Sequence, residues 1–139
     1  MLKRTFVIAA IALLTVAFPM VEASRANEDM IDYSQGDIKK ALDDGQTVFV
    51  DYAAEWCGTC KRQERVIDKL RSENPAYNMA ITFVRVDWDL FRSDEVTTSR
   101  NIPRRSTLLV LRGDKELGRI VAGTSESDIK ALMDLGLAN

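Results

Sequence analysis

The feature that most constrains this chain is Trp56-Cys57-Gly58-Thr59-Cys60, reached directly from the apolar run Val48-Phe49-Val50 and Asp51. Its cysteines are the only two in 139 residues, and they sit where a strand pattern gives way to a helix pattern. A disulfide across that spacing closes a tiny loop, removes little chain entropy from the unfolded state and makes a weak staple. The spacing therefore favours sulfur chemistry over cross-linking; the alternative is an inert buried pair or a static disulfide. A closed structural zinc site wants four Cys or His ligands. Two cysteines and no histidine fall short without a second subunit or carboxylates, so no metal is expected.

The start of the chain reads differently. Lys3 and Arg4 precede an almost unbroken apolar run from Thr5 to Phe18, and Val21-Glu22-Ala23 follows as a small-residue cleavage pattern. That is the layout of a secretory signal peptide over residues 1–23, with Ser24-Arg25-Ala26 as a second candidate cut. An uncleaved anchor is the alternative, but the run is short for a membrane span and is broken by Pro19. Export to the periplasm is therefore expected. Removing Lys3, Arg4 and Glu22 leaves 17 basic and 20 acidic residues, a net charge of −3. An acidic mature chain argues against nucleic acid as a partner.

Residues 24–36 are polar and without firm period, a lead-in to one domain over 37–139. Asp37 to Asp44 carries Ile38, Ala41 and Leu42 at helical spacing and ends before Gly45. Thr47 to Ala53 is a β-branched and aromatic run suited to a buried central strand. From Gly58 the period changes. Val66, Ile67 and Leu70 share a face of a helix reaching Glu73 and stopped by Asn74-Pro75. Ile81 to Val86 is a second buried strand, leaving through Asp87-Trp88-Asp89, and Ser93 is the candidate cap of a short helix over Asp94 to Ser99. Thr107–Leu111 and Glu116–Val121 form a hairpin around Gly113, and Gly123 ends it. Thr124 or Ser125 caps a last helix through Ile129, Leu132, Met133 and Leu135, with Gly136 as its stop signal. Strand–helix–strand units followed by a hairpin and a closing helix predict an α/β domain. Its mixed four-stranded sheet is flanked by helices on both faces.

In this element order the stretch Val50-Asp51-Tyr52-Ala53-Ala54-Glu55-Trp56-Cys57-Gly58-Thr59-Cys60-Lys61 resembles the thioredoxin family, and the resemblance extends over roughly Asp37 to Leu135. It implies the thioredoxin fold, thiol–disulfide oxidoreductase activity on protein disulfides, and no cofactor beyond the Cys57–Cys60 disulfide. Two positions depart from the family pattern. Thioredoxins carry a cis-proline directly before the third strand, packed against the disulfide. Aligned on Thr107-Leu108-Leu109, that position is Ser106, because sliding Pro103 into place would start a buried strand with Arg104 and Arg105. Arg65 falls where the family often has a helix-kinking proline.

Each site residue has an expected role. Cys57, at a helix N-terminus, is the attacking nucleophile; thiols so placed have pKa values lowered to about 3.5–7.5. Cys60, one turn on, resolves the mixed disulfide. Asp51, at the end of an apolar strand, is the proton acceptor for Cys60; the resemblance supports this role. The family has a lysine near this acid where Arg85 lies, and direct Arg85–Asp51 pairing would blunt the base. Trp56, Gly58 and Thr59 form the substrate-facing rim, and Trp88 is read as structural. Arg104 and Arg105 are either solvated loop charges or face Cys57 and attract acidic partners. A cis bond before Ser106 would cost about 2.5–4 kcal/mol. Serine also brings an N–H and a hydroxyl able to bond to a nearby thiolate.

Gly58-Thr59 between the cysteines, with no histidine there, is similar to the reductants of the family more than to its strong oxidants. An exported reductase needs electrons, and the resemblance implies a membrane-embedded thiol conductor as donor to a monomer. Apocytochromes or other exported thiol proteins are the implied clients. The alternatives are a thiol oxidase or isomerase, and a redox-silent peptide-binding module.

Overall fold

Thr47–Ala53 is buried at every position, so this strand is covered on both faces and reads as a continuous apolar run rather than an alternating one. In the computed structural model, which describes residues 30–138, it is β2 at the centre of the sheet. In chain order the elements are β1 (Ile31–Asp32), α1 (Asp37–Asp43), β2 (Thr47–Ala53), α2 (Gly58–Glu73) and α3 (Ala76–Ala80). β3 (Ile81–Asp87), α4 (Trp88–Phe91), α5 (Glu95–Thr98), β4 (Thr107–Arg112), β5 (Lys115–Val121) and α6 (Glu126–Leu137) follow. The strand order is β1-β3-β2-β4-β5. β3 runs parallel to β1 and β2, whereas β4 is antiparallel to both β2 and β5.

The expected four strands are therefore five. The extra one lies in the lead-in, where Ile31 pairs with Val84 and Asp32 with Arg85. Two residues are too few to show a period of two, and this edge is held by backbone bonds such as Tyr33 N–H to the Arg85 carbonyl at 2.8 Å. The signal-peptide reading of residues 1–23 lies outside the described residues. Among the described residues no helix is long and apolar enough to cross a membrane.

Two apolar layers sandwich the sheet. Phe49, Phe83, Leu108 and Val110 meet Ile67 and Leu70 of α2, Tyr77 of α3 and Ile129, Leu132 and Met133 of α6. On the other face Val48, Val50, Tyr52, Val84, Val86, Leu109 and Leu111 meet Ile38 and Ala41 of α1, with Trp88, Phe91 and Val96 packed at the side. Three details differ from the expected boundaries. Asp94, not Ser93, caps α5 by accepting the Val96 N–H at 3.0 Å. Asp87 caps a short helix, α4, by accepting from Asp89 and Leu90. Gly136 does not stop α6, which runs on to Leu137 with Gly136 buried. A Cβ there would lie 2.9 Å from Ile81 Cγ1, so glycine serves close approach to β3 rather than termination.

Candidate active site

The turn from β2 into α2 builds the site. Cys57 is the N-cap of α2, in extended conformation, and its Sγ accepts the Cys60 N–H at 3.2 Å. Its own N–H donates to the Ala54 carbonyl at 3.1 Å, which closes the approach from the strand. The 16-residue helix thus directs one of its first free N–H groups, that of Cys60, at a sulfur, an arrangement that favours a thiolate. Cys57 and Cys60 are disulfide-bonded with Cα atoms 5.3 Å apart; both are buried, and Cys60 completely so. They pack with Ala53 and Ala54 in a small cluster bordered by Trp88, in keeping with its structural reading.

Opposite them stands Ser106, one residue before β4, as the Thr107 register requires. The described residues contain no cis peptide bond, so the Arg105–Ser106 link is trans. Ser106 instead adopts φ of 62°, a left-handed conformation costing a non-glycine residue about 1–2 kcal/mol. Three backbone bonds hold it there. Its N–H donates to the Tyr52 carbonyl at 2.7 Å, and its carbonyl accepts from Ala122 N–H at 2.8 Å and Gln63 Nε2 at 3.1 Å. The hydroxyl then lies 3.2 Å from Cys57 Sγ and 3.1 Å from Cys60 Sγ, fully buried.

Asp51 lies on the same face of the sheet as Phe49, and Glu64 and Asp68 of α2 act on its carboxyl electrostatically. Neither carboxyl oxygen has a hydrogen-bond partner. Burial pushes its pKa from 3.8 up to about 7; Arg85 opposes the rise, and Glu64 and Asp68 add to it. Arg85 sits beside Asp51 in the β2–β3 register but does not bond to it. Its guanidinium goes to Glu64 at 2.9 Å, with Glu55 at 3.9 Å. The acid therefore stays protonatable near neutrality.

Trp56 is the exposed rim, 60% accessible. Its Nε1 donates to Asp89 at 2.8 Å, and the Arg105 guanidinium lies 4.3 Å over its ring. Arg105 thus stacks on Trp56, while Arg104 is exposed and donates to the Arg105 carbonyl at 3.2 Å. Gly58 and Thr59 form the first turn of α2, and Thr59 Oγ1 accepts from Arg62 at 3.2 Å. Sequence reasoning missed Gln63, whose Nε2 bonds both the Ser106 and Gly123 carbonyls. The signal was present: Gln63 falls in the buried stripe Cys60, Gln63, Ile67, Leu70, where a polar residue needs partners. Asp89, exposed, and Glu64, half-buried, were also missed, since acids on a helix surface carry no pattern that names their partners. Among the described residues no group of three or more His, Cys, Asp or Glu is placed to hold a metal ion.

The chain is similar to known thioredoxins. Thioredoxin 1 of Plasmodium falciparum is 30% identical over 101 residues, 73% of this chain and 90% of that protein. Putative thioredoxin-4 of Dictyostelium discoideum is 31% identical over 91 residues, covering 65% and 80%. The crystal structure of Trxlp from Edwardsiella tarda EIB202 superposes with a TM-score of 0.64 at 30% identity, covering 75% of this chain and 98% of that one. The family model for thioredoxin matches residues 29–135, most of the chain. With a dithiol pair at the start of α2, this chain belongs to the thioredoxin family and is a thiol–disulfide oxidoreductase.

Proposed function

We propose that the protein is an exported reductase of protein disulfides in which Cys57 attacks, Cys60 resolves and Asp51 handles the proton. The Cys57 thiolate attacks a substrate disulfide; one substrate sulfur leaves as a thiolate and the other stays bonded to Cys57. Cys60 then gives its proton to the Asp51 carboxylate and attacks Cys57 Sγ. The second substrate thiol is released, and the Cys57–Cys60 disulfide holds the two electrons' worth of oxidation. The observation that carries this reading is a disulfide at a helix start, six residues after a buried, unbonded carboxyl with a pKa of about 7 in the strand that leads to it. Such a group takes and returns a proton at neutral pH.

The direction of flow and the compartment rest on sequence. Gly58-Thr59 between the cysteines supports a reductant, and the basic start, apolar run and Val21-Glu22-Ala23 pattern support export to the periplasm. A membrane-embedded thiol conductor then supplies electrons, and the working unit is a monomer. Insulin reduction by dithiothreitol tests the activity: turnover above background is expected, and none would favour a redox-silent binding module. A potential close to about −270 mV fits a reductase, whereas one close to about −120 mV would make the protein an oxidase. Cys60→Ser should trap clients on Cys57. N-terminal sequencing of the mature protein from a periplasmic extract checks cleavage after Ala23.

A further inference from the structure

We propose that Ser106 is a catalytic residue: its hydroxyl is a rotor that donates to whichever of the two sulfurs carries the negative charge. The inference rests on the dithiol reading above but not on the identity of the client. Ser106 Oγ stands 3.2 Å from Cys57 Sγ and 3.1 Å from Cys60 Sγ, and among the described residues these sulfurs are its only hydrogen-bond partners. A serine hydroxyl has one proton to donate and two lone pairs to accept with. Placed between two sulfurs and shielded from water, it can bond both at once in only one sense: donating to one and accepting from the other.

In the reduced protein that sense is set by charge. The hydroxyl donates to the Cys57 thiolate and accepts from the Cys60 S–H, so the same group marks Cys57 as the nucleophile and keeps Cys60 protonated. Once Cys57 is bonded to substrate its sulfur is neutral. The hydroxyl then rotates and donates to Cys60 as the proton of that thiol passes to Asp51, stabilising the second nucleophile as it forms. No proton leaves the serine, and no bond to it is made or broken. The backbone supports this use. The strained φ of 62° persists under three hydrogen bonds that consume the Ser106 N–H and carbonyl, leaving only the hydroxyl for the site. Asp51 of β2, the Arg85, Glu64 and Asp68 charges that act on it, Arg62 beside Gly58 and Arg105 on Trp56 are all retained in the variants below.

The test is Ser106→Ala, with Ser106→Gly beside it because glycine accepts the left-handed backbone without strain. Thiolate absorbance and alkylation rate of reduced Cys57 are followed against pH, and the exchange equilibrium with dithiothreitol is measured at pH 7. Loss of the hydroxyl should raise the Cys57 pKa by about one unit, a tenfold loss of thiolate below that pKa. The equilibrium should move up to tenfold toward the disulfide, about 30 mV more reducing. An unchanged Cys57 pKa and equilibrium in whichever variant folds would overturn the rotor. These readouts need no client, so wild-type protein inactive on insulin would sink the proposed reductase and leave this result standing.

Discussion

The β2–α2 junction and the loop before β4 meet at the same disulfide but are held in place by different means. The junction is built from regular structure: a fully buried strand, a capped helix, and sulfurs placed by ordinary backbone geometry. The loop is strained, with Ser106 in a left-handed conformation kept by bonds to Tyr52, Gln63 and Ala122. Robust placement of the sulfurs can be reached by any chain with the right local pattern. The facing hydroxyl depends on partners scattered from residue 52 to residue 122, so the junction carries the shared chemistry and the loop carries what is particular to this protein.

The largest contrast comes from the junction side. Asp51 has a folded pKa of about 7 against 3.8 when unfolded, so its stability contribution is full below pH 4 and is lost as pH rises through about 7. About three units correspond to roughly 4 kcal/mol. Asp51→Asn should remove that decline, making the variant more stable than wild type at pH 8 in denaturant titrations. Resolution of a Cys57 mixed disulfide should slow about 10²-fold, the scale of a lost general base. A variant no more stable at pH 8, or resolving at the wild-type rate, would mean that the junction holds no such base. On the loop side, Gln63→Ala removes both bonds from α2 to the Ser106 and Gly123 carbonyls and should cost about 2–3 kcal/mol. It should also shift Cys57 reactivity, because the loop loses a tether. A destabilised protein with unaltered Cys57 titration would show that the loop keeps its shape without α2. The smallest effect is expected from Arg105→Ala, about 0.5–1 kcal/mol from the lost stacking on Trp56. KM for an acidic peptide disulfide should rise with little change in kcat; equal change in both would place Arg105 elsewhere in the cycle.

Legibility followed the same division. β2, α2, the cysteine pair and the acid within the strand were readable because each is local: a run, a period or a spacing fixes it. The position of Ser106 was readable too, since keeping Arg104 and Arg105 out of a buried strand leaves one register. Its φ and its hydroxyl contacts were not, because they come from residues far apart in sequence. β1 was invisible for a different reason. Two residues pairing by backbone alone leave no side-chain pattern. Arg85 illustrates a third limit: its place beside Asp51 follows from register, but its choice of Glu64 over Asp51 depends on side-chain reach across α2.

Gly136 has a consequence for how the chain can change over time. Its bare backbone lets α6 settle against Ile81, with Thr47 of the central strand beside it. The two positions share one small volume, so an alanine at 136 is tolerable only if 81 shrinks past Cγ1, for example to alanine. Either step alone passes through a strained or hollow intermediate. Drift at the far end of the domain from the disulfide is thus coupled in pairs, and a lineage that exchanges one of these residues should be found to have exchanged the other.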